Sequence, residues 1–267
     1  MAVFVSKCEK EWNRMQRDEF EFLQKGRFRK ESPLNQVLQR HIPDGLQDKL
    51  NLGFSKAFEL IFQKGTGIIE KTYDRDSIEE AFGSASMEAQ DYLSSDGLHR
   101  ISRNAVRSRA RNLFLSGVEG IGLGAAGIGL PDIPLFTGVL LKGLYEVALH
   151  YGYDYDSEKE KYFILRVIEV ALLYGPDLDR ENEVMNAWVE SEGLPVDYDQ
   201  SEQIRRSSAA LSTELLYMKF LQGLPIVGAI GGAYDAIYLQ KVLAYAELKY
   251  HRRFLLAHAE GDDPIIA

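Results

Sequence analysis

The chain has 267 residues, 45% of them apolar and 27% charged, with a net charge of −9 and a mean hydropathy of −0.22. That length buries a sizeable core, and that composition belongs to globular proteins; it excludes a multi-span membrane protein and disfavours general nucleic-acid binding. A single cysteine, Cys8, excludes an internal disulfide framework and suits a reducing compartment, where no disulfide-linked partner is expected; Met1–Lys10 is too short in apolar residues for a secretory signal, so a cytoplasmic location is expected.

Apolar spacing is helical nearly throughout, without sustained period-two alternation. Helices are predicted near 5–25, 33–41, 44–64, 77–93, 98–128, 133–151, 158–174, 180–192, 200–222 and 227–257. Ser32-Pro33 reads as a cap followed by a first-turn proline. Ser77–Glu80 and Ser157–Glu160 fit the capping box, in which the serine takes an N3 amide and the glutamate reaches back. The helix after Ser157 is expected to stop at Gly175-Pro176, where proline cannot continue it. Residues 1–97 form an acidic lead-in, 98–257 the apolar mass, and 258–267 a loose tail, all within one all-α domain of packed antiparallel helices.

Two stretches set the expected architecture. Gly117–Gly152 is apolar, crowded with glycine and broken by Pro131-Asp132-Ile133-Pro134; Phe220–Tyr234 is similar, and both contain Gly-Leu-Pro before a long helix. Glycine costs up to about 1 kcal/mol per helix position against alanine, so its clustering implies closely approaching backbones. Two glycine-rich helical hairpins are therefore expected in the core. Their uncharged runs, Gly120–Pro131, Ile133–Leu141 and Phe220–Tyr234, each fall short of the roughly 20 residues of a membrane span. Shallow insertion is the competing reading.

Charge is unevenly spread. Between Asp96 and Glu119 no carboxylate occurs, while Arg100, Arg103, Arg107, Arg109 and Arg111 do; these carry +5 and leave −14 on the rest. Arg100, Arg103, Arg107 and Arg111 share a helix face, with Arg109 pointing away. Lys249, Arg252 and Arg253 follow the second glycine stretch. Basic residues beside apolar ones suit an anionic lipid surface; the alternative is a solvated face paired with the acidic remainder.

Chemistry-bearing groups are sparse. Asp132 is placed to cap the helix starting near Ile133. Glu146 and His150 sit four apart, followed by Tyr151, Tyr153 and Asp154, a spacing able to shuttle a proton or hold a metal. His41, His99, His251 and His258 are scattered, so no metal site is expected, and no cofactor motif is present. Asp74/Asp76, Asp154/Asp156, Asp177/Asp179 and Asp197/Asp199 read as helix caps rather than calcium ligands. Of 14 tyrosines, all but Tyr73 and Tyr92 follow residue 144, which fits a membrane edge, a partner surface or a core with hydroxyls reaching out.

The order of these pieces resembles the EcsC family. The resemblance rests on Ile42-Pro43-Asp44 and its following helix, Gly117–Leu130, Leu130-Pro131-Asp132-Ile133-Pro134, Tyr145-Glu146-Val147-Ala148, Tyr151-Gly152-Tyr153-Asp154, and Leu224–Ala233. It implies an all-helical bacterial protein with a transporter context, since the family is named for a gene beside an ABC-transporter operon. It carries over no catalytic residue. The leading expectation is a non-enzymatic cytoplasmic protein that attaches peripherally to the membrane's inner face or to a membrane-bound partner. Arg100, Arg103, Arg107 and Arg111 would hold anionic groups, and the turn at Leu130–Phe136 or Leu224–Ile230 would supply apolar contact. The rivals are an enzyme with a site among Asp132, Glu146, His150, Tyr151 and Asp154, and a soluble scaffold using the tyrosine-rich half.

Overall fold

Ser157 illustrates how the helix starts are set. Its backbone is extended (φ −69°, ψ 150°), and its Oγ accepts the Glu160 amide at 3.2 Å, as the capping box predicts. The other half of the box is used differently: the Glu160 carboxylate turns inward, to partners on the last helix. These details come from a computed structural model, which describes residues 2–28, 42, 44–64, 132–191, 193–222 and 231–259.

In chain order the helices are α1 (Ala2–Gly26), α2 (Leu46–Lys64), α3 (Asp132–His150), α4 (Glu158–Ala171), α5 (Gly175–Ser191), α6 (Gln200–Gln222) and α7 (Gly231–Ala259). No strand occurs among the described residues, and the fold is all-α. The helices expected at 33–41, 77–93 and 98–128 lie outside the described residues, as do the Gly117–Leu130 hairpin segment and the Leu224–Ile230 turn.

Gly175-Pro176 plays the opposite part to the one expected. α4 already ends at Ala171, where the Leu172 amide closes onto Glu169 and Val170 carbonyls. Pro176 instead opens α5, in a first turn that has no use for its missing N–H. Gly175, at φ 58°, takes the left-handed conformation that leads into it. α5 therefore starts five residues before the expected 180. A third Gly-Leu-Pro, at Gly193–Pro195, forms an exposed turn in which the Tyr198 amide donates to the Pro195 carbonyl at 3.1 Å. Asp199 then caps α6, accepting the Ser201 amide at 2.8 Å. The cap reading of the Asp-x-Asp pairs holds at this position.

α7 is the axle of the fold. Its 29 residues extend about 44 Å at 1.5 Å each, and it packs against α1, α3, α4, α5 and α6. α2 rests on α6 and α3, and α4 lies between α5, α6 and α7. α3 is apolar around most of its circumference and buried accordingly, as are all residues of α4 from Tyr162 to Ala171. α2 adds Leu50, Phe54, Phe58 and Ile61, so the acidic lead-in reaches the core. Aromatic stacks tie the elements together: Tyr145 on Tyr155 at 4.2 Å and Phe163 on Trp188 at 4.8 Å.

Close helix approach through glycine is present at Gly143 of α3. A Cβ there would lie 2.9 and 3.0 Å from the methyls of Leu243 on α7, a side chain that is itself buried. Gly143→Val is expected to lose about 1–3 kcal/mol in urea denaturation through overpacking. Gly193→Ala, with open space around it, is expected to stay within about 0.5 kcal/mol of the parent. Equal stability of the Gly143→Val and parent chains would contradict the close approach.

Candidate functional site

The basic residues Lys249, Arg252 and Arg253 of α7 face the interior. Lys249 is 0% exposed and Arg253 1%, and Arg252 is largely covered. Lipid contact is therefore ruled out for these three; they pair with the acidic remainder, but inside the fold rather than on a solvated face. The cause is register. Positions 245, 246, 249, 250 and 253 form one stripe at helical spacing, and that stripe looks into the contact of α7 with α1, α4 and α5.

Two polar centres follow along this stripe. At the first, the Arg253 guanidinium donates to both oxygens of Glu160, at 2.8 and 3.0 Å, and the Tyr250 hydroxyl donates to the same carboxylate. Rings surround the cation, with Tyr153 at 3.9 Å and Phe163 at 4.5 Å from its centre, and Trp188 and Tyr250 beyond. Burial opposes the Arg253 charge, but Glu160 more than compensates and holds the proton on. Burial and the neighbouring carboxylate push the Tyr250 hydroxyl well above its ordinary range, so it stays a donor.

At the second centre, the Lys249 amine is shared between Glu19 of α1 and Asn186 Oδ1 of α5, the latter at 2.6 Å. Arg252 reaches Glu19 at 3.3 Å and lies over the Trp12 ring at 5.0 Å. Burial draws the Lys249 amine down to about 8 despite the opposing pull of Glu19. For Glu19 burial is the largest single influence and acts upward. Lys249, Arg252 and Asn182 together reverse it and leave the carboxyl below its usual range. A third set, outside the stripe, links Arg166 to Glu169 and Glu181 at 2.7 Å each, and Gln203 to Glu169 at 2.8 Å.

The residues expected to form a catalytic set are divided. Glu146 and His150 are buried in α3, with Lys142 3.9 Å from Glu146. Desolvation lowers the His150 imidazole to about 4. Tyr151 is buried against His251, Phe254 and Tyr250, at ring distances of 5.9, 6.1 and 6.4 Å. Asp154 is exposed and spends an oxygen on the Asp156 amide at 3.1 Å, a local turn. Asp132 is the first residue of α3; its side chain lies outside the described residues, as do Arg100, Arg103, Arg107 and Arg111. Among the described residues no group of three His, Cys, Asp or Glu could hold a metal ion.

The apolar contact expected at Leu130–Phe136 is narrowed by burial. Ile133 and Phe136 lie in the core, with Phe136 edge-on to Phe54 of α2 at 6.2 Å. The tyrosines among the described side chains mostly take the core role: Tyr145, Tyr151, Tyr155, Tyr162, Tyr245 and Tyr250 are buried. Glu19 and Glu160, the anchors of both polar centres, were not signalled as functional by the sequence. Their only trace is a carboxylate falling on the apolar face of its helix, such as Glu19 beside Met15 and Phe22.

A sequence model of the EcsC protein family matches residues 6–255. The chain is also similar to Protein EcsC of Bacillus subtilis (strain 168), 30% identical over 144 residues, which are 53% of this chain and 58% of that protein. The match thus spans rather more than half the length of that relative, and no solved structure matches. With all but its outermost residues covered by one family description, the chain belongs to the EcsC protein family.

Proposed function

We propose that the protein is non-enzymatic and cytoplasmic, and that it attaches peripherally to the membrane, or to a membrane-bound, transporter-related partner, through the segment 98–131. The observation that carries the reading is the contrast in how cations are used. Lys249, Arg252 and Arg253 of α7 are committed to internal carboxylates. Arg100, Arg103, Arg107 and Arg111 stand in a carboxylate-free segment, separated by Glu119 from the twelve uncharged residues Gly120–Pro131. A basic segment followed by an apolar stretch combines the two weak signals that stable peripheral attachment requires. No helix among the described residues is long and apolar enough to cross a membrane. With Ile133 and Phe136 buried, the apolar contact falls to residues before Asp132 or to Leu224–Ile230.

Co-sedimentation with vesicles containing phosphatidylserine tests this. At about 1 kcal/mol per cation near an anionic surface, changing the four arginines to glutamine is expected to weaken binding by about a thousandfold. High salt is expected to do the same to the parent chain. Absence of pelleting on anionic vesicles at low salt would end the lipid reading. Binding to native membranes but not to protein-free vesicles would assign the attachment to a membrane-bound partner.

A further inference from the structure

α1 is held differently from the other helices. Among its described side chains the buried ones are Glu11, Met15 and Glu19, with Trp12, Phe22 and Leu23 half-buried beside them, and Met15 stands apart from the contiguous core. These residues form one stripe, and two of its three buried side chains are carboxylates. The facing seam lies on α7 and α5. It offers the fully buried Lys249, Arg252 above Trp12, and Tyr245, whose ring meets Phe22 at 5.1 Å. Asn186 closes the floor.

We infer that α1 is a releasable arm, and that the seam it occupies between α5 and α7 is a binding site for an amphipathic helix with carboxylates on its buried stripe, of which α1, net neutral but with Glu11 and Glu19 on that stripe, is the resident one. Charge complementarity names the occupant. A helix without a carboxylate at the place of Glu19 would leave Lys249 buried and unpaired, which is a strong bar to wrong partners. The same joint is weak cement, because desolvating two charges offsets most of their attraction. α3 and α4 also bury charges, but each sets them among many core apolar side chains, whereas Met15 is the one buried apolar side chain among those described in α1. A selective but weakly held helix is one that exchanges. This goes beyond the membrane reading and uses none of its residues.

Hydrogen exchange on the parent chain tests the arm directly. Amides of residues 9–26 are expected to exchange together, at least about a hundredfold faster than those of α4. Protection equal to that of α4 would make α1 an integral core helix and overturn the inference. The site is tested in the full chain carrying Glu19→Lys, which places a second cation against Lys249 and ejects the arm. A labelled peptide of residues 2–26 is expected to bind this variant at least about tenfold more tightly than the parent, whose seam is filled. Binding is expected to fall by about tenfold between about 0.05 and about 0.5 M salt. The same peptide carrying Glu19→Lys is expected not to bind. Failure of the unaltered peptide to bind a Glu19→Lys chain that still unfolds cooperatively would overturn the site.

Discussion

Replacing Arg253 by methionine is expected to cost about 3–5 kcal/mol, among the largest losses available to a single change in this chain. The change keeps an apolar stem of similar length but strands the Glu160 carboxylate among aromatic rings, where it has lost two charge-assisted hydrogen bonds. Glu160→Gln is expected to be comparably severe for the mirror reason, since a guanidinium 1% exposed then lacks its counter-charge. The two changes do not add. In the Glu160→Leu, Arg253→Met double variant no charge remains to be stranded, and the neighbouring Tyr153, Phe163 and Trp188 can pack an apolar pair. Its stability is expected to exceed that of either single variant, with a coupling energy of at least about 2 kcal/mol in urea denaturation. Two single losses below about 1 kcal/mol would mean that water or backbone groups already satisfy this centre, and that the pair does not key α4 to α7.

That centre also marks where the sequence stops being readable. Helix positions were legible because they depend on local signals: Ser157 caps α4, Asp199 caps α6, and apolar spacing places α3 and α6 to within a residue. Gly175-Pro176 misled because proline ends one helix and begins another with equal ease, and only the backbone at Leu172 shows which. The inward charges were misread because a lysine or arginine next to apolar residues looks the same whether those residues meet lipid or a neighbouring helix. What separates the cases is a partner 93 residues away at Glu160 and 230 away at Glu19. No spacing rule reaches that far. Glu160 carries the clearest ambiguity: it occupies the N3 place of a capping box, and the fold diverts its carboxylate to α7 while leaving Ser157 to cap alone. Glu146 and His150 were rightly placed on one helix, but the four-residue spacing is silent about whether that face is wet.

For His150 the difference between a wet and a dry face becomes a measurable pH dependence. Burial lowers the imidazole from 6.5 to about 4, so the unfolded chain takes up a proton that the folded chain refuses. Between those two values the unfolded state binds more protons, and stability must fall as pH falls. The contribution is fully present above pH 6.5 and is lost progressively down to pH 4, a total of about 3 kcal/mol at 1.36 kcal/mol per unit. Glu19, whose carboxyl is also held low in the folded state, acts in the same direction but only below its unfolded value of 4.5, so most of the window belongs to the histidine. His150→Gln keeps a polar side chain of similar reach without a titrating ring. Urea denaturation at steps from pH 7.5 to 4.5 is expected to give a falling stability for the parent chain and a nearly level one for this variant. A parent profile already level across that range would place His150 in contact with water and would return the Glu146–His150 face to the list of groups able to exchange protons with a substrate.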